Sequence, residues 1–171
     1  MRLKEVSRAK IDELLEKAIW VIQDINIINL SASYGIAIPE FPFTSGYADY
    51  LLIIDGKAVA VIETKPQGTT LSVIAEQSQA YITGIPKNLL TVKEPLSFAY
   101  QNTSIETFFR DIRAPEPRLR RVFAFHKPQT LAEWLSQKET LRNRVRKLPP
   151  LINIFADKKR YSFTILFNHI K

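Results

Sequence analysis

The sequence predicts an α/β domain with a central mixed β-sheet flanked by α-helices, and three observations carry that expectation. Residues from Val6 to Ile22 place apolar side chains at helical spacing. Two apolar runs, Tyr50–Ile54 and Ala58–Ile62, flank Asp55-Gly56, a dipeptide that favours tight hairpins because glycine takes positive φ at little cost. Beyond Pro66 the pattern returns to helical periodicity. Helices before and after a hairpin, with more strands downstream, are the signature of layered α/β packing.

The elements follow in order. The first helix shows the stripe Ile11, Leu14, Leu15, Ala18 and Ile22, with Ser7 as its N-cap candidate. Pro39 and Pro42 bracket an extended piece over 36–43. The hairpin comes next and ends at Pro66. A helix from Leu71 to Thr83 buries Leu71, Ile74, Ala75, Ser78 and Ile82. Residues 96–101 and 121–126 read as strands, and a helix runs from Leu131 to Gln137. A basic helical segment continues to Lys147, where Pro149-Pro150 stops it. The expected division is a domain over 1–150 and a tail over 151–171.

Composition narrows the chemistry. The 171 residues suffice for one substantial core. There is no cysteine, which excludes thiolate nucleophiles, disulfides and Cys-ligated metals and favours a cytoplasmic protein. Two histidines cannot make a three-histidine metal site. No apolar run approaches the roughly 18 residues of a membrane span, and Met1–Val6 shows no secretion signal. Charge is uneven: residues 1–100 hold 9 basic against 11 acidic side chains, residues 101–171 hold 15 against 6. The basic half would attract a polyanion, or simply keep the chain soluble.

One cluster suggests catalysis. Asp49 precedes the first hairpin strand, and Glu63-Thr64-Lys65 closes the second. Residues 63 and 65 project from one face of an extended chain. Asp49 joins them if the loop is Ile54-Asp55-Gly56, so that 53 pairs with 57 and 49 lies opposite 61. A two-residue turn would send Asp49 to the other face. Two converging carboxylates suit Mg²⁺, which takes oxygen ligands and bridges to phosphate. Lys65 would stabilise the negative charge that develops on a cleaved phosphodiester. The bland alternative is an exposed Glu–Lys pair at a strand end. Gln77 and Tyr81, at i and i+4 on the next helix, could brace the carboxylates or pack and solvate.

Residues 1–150 resemble the N-terminal nuclease domain of type I restriction enzyme R (motor/restriction) subunits, in the PD-(D/E)XK nuclease superfamily. The matching segments run in family order. They are Lys10-Ile-Asp-Glu-Leu-Leu with Trp20, Pro39-Glu-Phe-Pro-Phe, Gly46-Tyr-Ala-Asp-Tyr-Leu-Leu, and Ala60-Val-Ile-Glu-Thr-Lys-Pro. Gln77-Ser-Gln-Ala-Tyr and Ile105-Glu-Thr-Phe-Phe follow, then Pro117-Arg-Leu-Arg-Arg-Val-Phe-Ala-Phe-His and Lys127-Pro-Gln-Thr-Leu-Ala-Glu-Trp. The resemblance implies a restriction-endonuclease-like core. It puts Asp49, Glu63 and Lys65 in the nuclease motif, and Gln77 and Tyr81 in the Gln-x-x-x-Tyr motif. Asp49 and Glu63 would hold Mg²⁺, and the substrate would be double-stranded DNA. The implied partners are the methyltransferase and specificity subunits of a type I complex. ATP would enter only through motor domains, and the sequence has no G-x-x-x-x-G-K-[ST] loop to begin one. Residues 151–171 match nothing in that family.

Two other readings stand beside the nuclease: a non-catalytic remnant or assembly module that binds DNA or a partner, and a stand-alone resolvase-like nuclease. Glu40, Glu13 and Glu16 are candidate extra carboxylates. His126 is read as a capping or core-edge residue, with general base as its rival. Arg113, Arg118, Arg120, Arg121, Arg142, Arg144, Arg146 and Lys147 are the candidate phosphate contacts, or else solvated charges.

Overall fold

The structure is a computed structural model, and it describes residues 3–43, 46–65, 96–103 and 105–148. Helix α1 covers Leu3–Lys17, and strand β1 covers Val21–Ile22. Strands β2 (Gly35–Phe43), β3 (Gly46–Ile54) and β4 (Lys57–Thr64) follow, then β5 (Phe98–Asn102), β6 (Thr107–Asp111) and β7 (Arg120–Val122). Helices α2 (Pro128–Ser136) and α3 (Leu141–Arg146) complete the described elements. The expected helix over 71–83, with Gln77 and Tyr81, lies outside the described residues.

The strands form one seven-stranded sheet in sequential order, β1 to β7. It is mixed: β1·β2 and β4·β5 are parallel and the other pairs antiparallel. The α/β architecture expected from the sequence is thus present. Chain contacts divide the protein into two compact units, 1–138 and 139–171. The sheet, α1 and α2 belong to the first; α3 belongs to the second, where Thr140 caps its N-terminus by accepting the Asn143 N–H.

Each sheet face has its own apolar cluster. One gathers Tyr50, Leu52, Ile62, Phe98, Tyr100 and Phe109 with Ile11 and Leu15 of α1, Ala18 and Trp20 just after it, and Leu131 of α2. We refer to this as the helical face. The second gathers Ile36, Ile38, Leu51, Ile53, Ala58, Val61 and Ala99. Alternation along a strand accounts for the division, since successive side chains leave opposite faces.

The first helix ends earlier than the stripe suggested, because Ile22 belongs to β1. Its last turn closes with the Trp20 N–H on the Leu15 carbonyl and the Ile19 N–H on the Glu16 carbonyl. That is a Schellman arrangement, and it puts Ile19 in the left-handed region at φ 66°. Glycine normally takes this position, so a β-branched residue there gave no stop signal. Ser7 lies inside the helix and not at its cap.

Other boundaries also move. Strand β7 stops at Val122, short of 126, and α2 starts at Pro128, three residues before Leu131. Proline suits a first helical position, where its missing N–H costs nothing. Gly35 is fixed by this corner: a Cβ there would lie 2.1 Å from Pro128 Cγ and 3.2 Å from Trp20 Cε3.

Candidate active site

The hairpin sets the site's geometry. Its turn has two residues, Asp55 and Gly56, at φ 49° and 71°. Ile54 pairs with Lys57 and Ile53 with Ala58. The expected three-residue loop is therefore not formed; two successive positive φ angles suit a tight primed turn. Such a turn alone would have turned Asp49 away from Glu63. A β-bulge restores the parity, because the register shifts after Ile53 and Leu52 pairs with Ala60. Val59 is the extra residue, and it packs on the helical face together with its neighbour Ala60.

Beyond the bulge, Tyr50 pairs with Ile62, and both point to the helical face. Glu63, next after Ile62, then leaves on the opposite face, and the charge of Asp49, next to Tyr50, is felt at its carboxyl. The Thr64 N–H donates to Asp49 Oδ2 at 2.5 Å. Lys65 Nζ donates to Glu63 Oε1 at 2.9 Å, and both side chains are largely buried, 14% and 12% exposed. Lys65 is anchored through its backbone N–H to the Asn102 carbonyl at 2.8 Å. Lys65 is thus joined to Glu63 by an ion pair, and Asp49 to the same stretch of β4 through the Thr64 N–H.

Burial, above all, lifts the Glu63 carboxyl above its ordinary range; the nearby Asp49 charge adds to this, against the pull of Lys65. Glu63 Oε2 is buried with no hydrogen-bond partner among the described residues. An unpaired buried carboxylate oxygen beside a second carboxylate is a poor arrangement for stability and a good one for a cation. Among the described residues no group of three or more His, Asp or Glu side chains gathers. Mg²⁺ commonly binds through one or two carboxylates and completes its shell with water, so this pair fits it.

The other candidate carboxylates go elsewhere. Glu40 has φ 52°, and this backbone turn carries it to Arg8 of α1 at 2.8 Å. Glu13 pairs with Lys17 on the exposed side of α1, and Glu16 is exposed. His126 sits on the helical face. Its Nδ1 lies 2.6 Å from the Tyr100 hydroxyl, and its ring packs against Phe109 and Trp134 at 4.6 and 4.8 Å. Burial pushes its pKa below the ordinary value, helped by Arg120. It is a packed, core-edge histidine, away from the carboxylates.

The basic set also divides. Arg113 is an internal strut: its guanidinium grips Asp111 at 2.8 and 3.0 Å, donates to the Trp134 carbonyl and lies over the Phe98 ring. Arg118 and Arg121 form exposed pairs with Glu116 and Glu106. Lys147 pairs with Glu139 in the second unit.

Sequence reasoning missed Gln101. Parallel pairing of β4 with β5 sets it directly beside Glu63, and it is only 4% exposed. The two residues are far apart in the chain, and only knowledge of the β4·β5 register could have joined them. No family model, curated protein or solved structure matches this chain.

Proposed function

We propose that the chain is a Mg²⁺-dependent endonuclease domain with a PD-(D/E)XK core, hydrolysing phosphodiester bonds of double-stranded DNA. The observation that carries this reading is the buried Glu63–Lys65 pair within reach of the Asp49 charge, with Glu63 Oε2 buried and unpaired among the described residues. The resemblance of 1–150 to type I R subunits makes it the cleavage module of a cytoplasmic restriction system, working with methyltransferase and specificity subunits.

Asp49 and Glu63 would hold the ion. Once bound, it supplies Lewis-acid polarisation of the scissile phosphate and makes water a better nucleophile. The Thr64 N–H fixes the Asp49 carboxylate, so that its orientation is set before substrate arrives. Lys65 lies against Glu63 and can turn its ammonium towards the phosphoryl oxygens as their charge grows. Gln101 of β5 stands beside Glu63 in the sheet register. Gln77 and Tyr81 are assigned supporting roles on the motif they match.

Nicking of supercoiled plasmid with Mg²⁺ tests the proposal. The wild-type chain should convert plasmid to open circle, and Lys65→Ala should be slower by about 10²–10³-fold, the usual loss on removing a group that stabilises transition-state charge. Equal rates would remove Lys65 from the chemistry. DNA binding without cleavage by the wild type would identify a non-catalytic binding module instead.

A further inference from the structure

The end of the sheet that carries the carboxylates holds a second feature. Strands β4, β5 and β7 run in the same direction and end at Thr64, Asn102 and Val122. Phe123, the residue after β7, therefore emerges at the same end as Lys65. Three strand spacings separate β4 from β7, about 14 Å. Phe123 is 100% exposed, and Ile105 beside it is 65% exposed. Between β7 and α1 lies a groove of about 170 Å³ whose walls include Lys10, Leu14, Asn102, Thr107, Val122 and Phe123.

Lone exposed apolar residues need no explanation, but the setting of this one does. The segment 118–127 holds Arg118, Arg120, Arg121 and Lys127 with no acidic residue. Arg121 also lines the groove, where Glu106 faces it at 3.3 Å. Edge strands carry arginine or lysine to discourage pairing with other chains, which accounts for Arg120 and Arg121. It does not account for a bare aromatic ring at the end of the same short strand. The groove, at about 170 Å³, is below the range of small-molecule pockets. Cations beside an exposed aromatic ring are the standard means of holding a nucleic acid strand, the charges on phosphate and the ring on a base.

We infer that Phe123 stacks on, or wedges beside, a base of the bound nucleic acid, while Arg121 and Lys10 contact its phosphates. This rests on the nucleic-acid part of the proposed function and adds a second contact at the end of the sheet where β4 and β7 both stop. Arg121 can exchange Glu106 for a phosphate because their pair is exposed, where ion pairs are weak.

The test uses the full chain without divalent ions and a 16-nucleotide DNA carrying 2-aminopurine, single-stranded and as duplex. Fluorescence anisotropy gives affinity, and 2-aminopurine emission reports stacking. The wild type should bind and change the emission. Phe123→Ala should bind about 5- to 100-fold more weakly, lose the emission change and keep the salt dependence, while Phe123→Tyr restores both. Arg121→Ala should lower the salt slope by about one unit. Binding and emission unchanged in Phe123→Ala would overturn the inference. So would DNA binding by no variant, with Phe123→Ala altering only self-association, which would make this edge a protein contact. A wild type that stacks bases but never nicks plasmid would sink the nuclease reading and leave this inference standing. One that nicks plasmid with no dependence on Phe123 would do the reverse.

Discussion

The two faces of the sheet treat buried polar groups differently. On the helical face Tyr50 donates to Asp12 at 2.5 Å, Trp20 Nε1 donates to the His126 carbonyl at 2.9 Å, and Tyr100 meets His126. On the opposite face Glu63 Oε2, Ser97 Oγ, and Arg110 Nε and Nη1 are buried without a hydrogen-bond partner among the described residues. An unmet buried polar atom costs about 1–3 kcal/mol, more if charged. One face thus meets its buried polar groups, whereas the other carries buried polar atoms that the described residues leave unmet. Substitutions on the helical face should therefore lower stability. Substitutions at the carboxylates should lower activity and leave stability intact or improved.

The largest expected effect tests the helical face. Trp20 is 2% exposed in the main core, and Trp20→Ala should destabilise by about 3–5 kcal/mol, read by urea denaturation. A loss below about 1 kcal/mol would mean that this face is not the stabilising one. Gly35→Ala comes next, at about 1–3 kcal/mol, because its Cβ would collide with Pro128. Thermal melting should show it, and a paired Pro128→Ala change should recover part of the loss.

The carboxylate face should respond in the other direction. Glu63→Gln removes a charge that burial disfavours, so without divalent ions its melting temperature at pH 7.5 should match or exceed wild type. The folded-state pKa of Glu63 is raised, so its favourable contribution is complete below about 4.5 and is lost as pH rises through the higher folded value. The variant's advantage should accordingly shrink towards pH 4. A fall in stability at pH 7.5 would make Glu63 a structural residue.

The smallest effect belongs to His126. Its folded pKa lies below 6.5, so the unfolded chain takes up the proton first as pH falls. The stability that His126 contributes is complete above 6.5 and lost as pH drops through the folded value. His126→Gln should show a smaller fall in melting temperature between pH 7.5 and 5.5 than wild type.

Much of this contrast was legible in the sequence. Asp49, Glu63 and Lys65 were identifiable because a buried strand has no packing reason to end in alternating charges. The way they meet was not legible. A two-residue turn followed by a bulge at Val59 gives the same parity as the expected three-residue loop, and nothing in Ala58-Val-Ala-Val marks a bulge. Arg113 belonged in appearance to a basic surface, but Asp111 and Phe98 claim it. Strand β6 went unread because Thr107-Phe-Phe-Arg-Asp is short and ends in charges, and β1 is only two residues long. Glu40 seemed near Asp49 in the chain, and a positive φ carries it to Arg8.

The pairing of the two carboxylates around a cation is the central claim, and calorimetric titration with Mn²⁺ in place of Mg²⁺ tests it most directly. Wild type should show one carboxylate-dependent site. Asp49→Asn and Glu63→Gln should each abolish it, while Lys65→Ala, which removes the competing ammonium, should keep it or bind more tightly. Equal Mn²⁺ binding by wild type and both carboxylate variants would contradict the account.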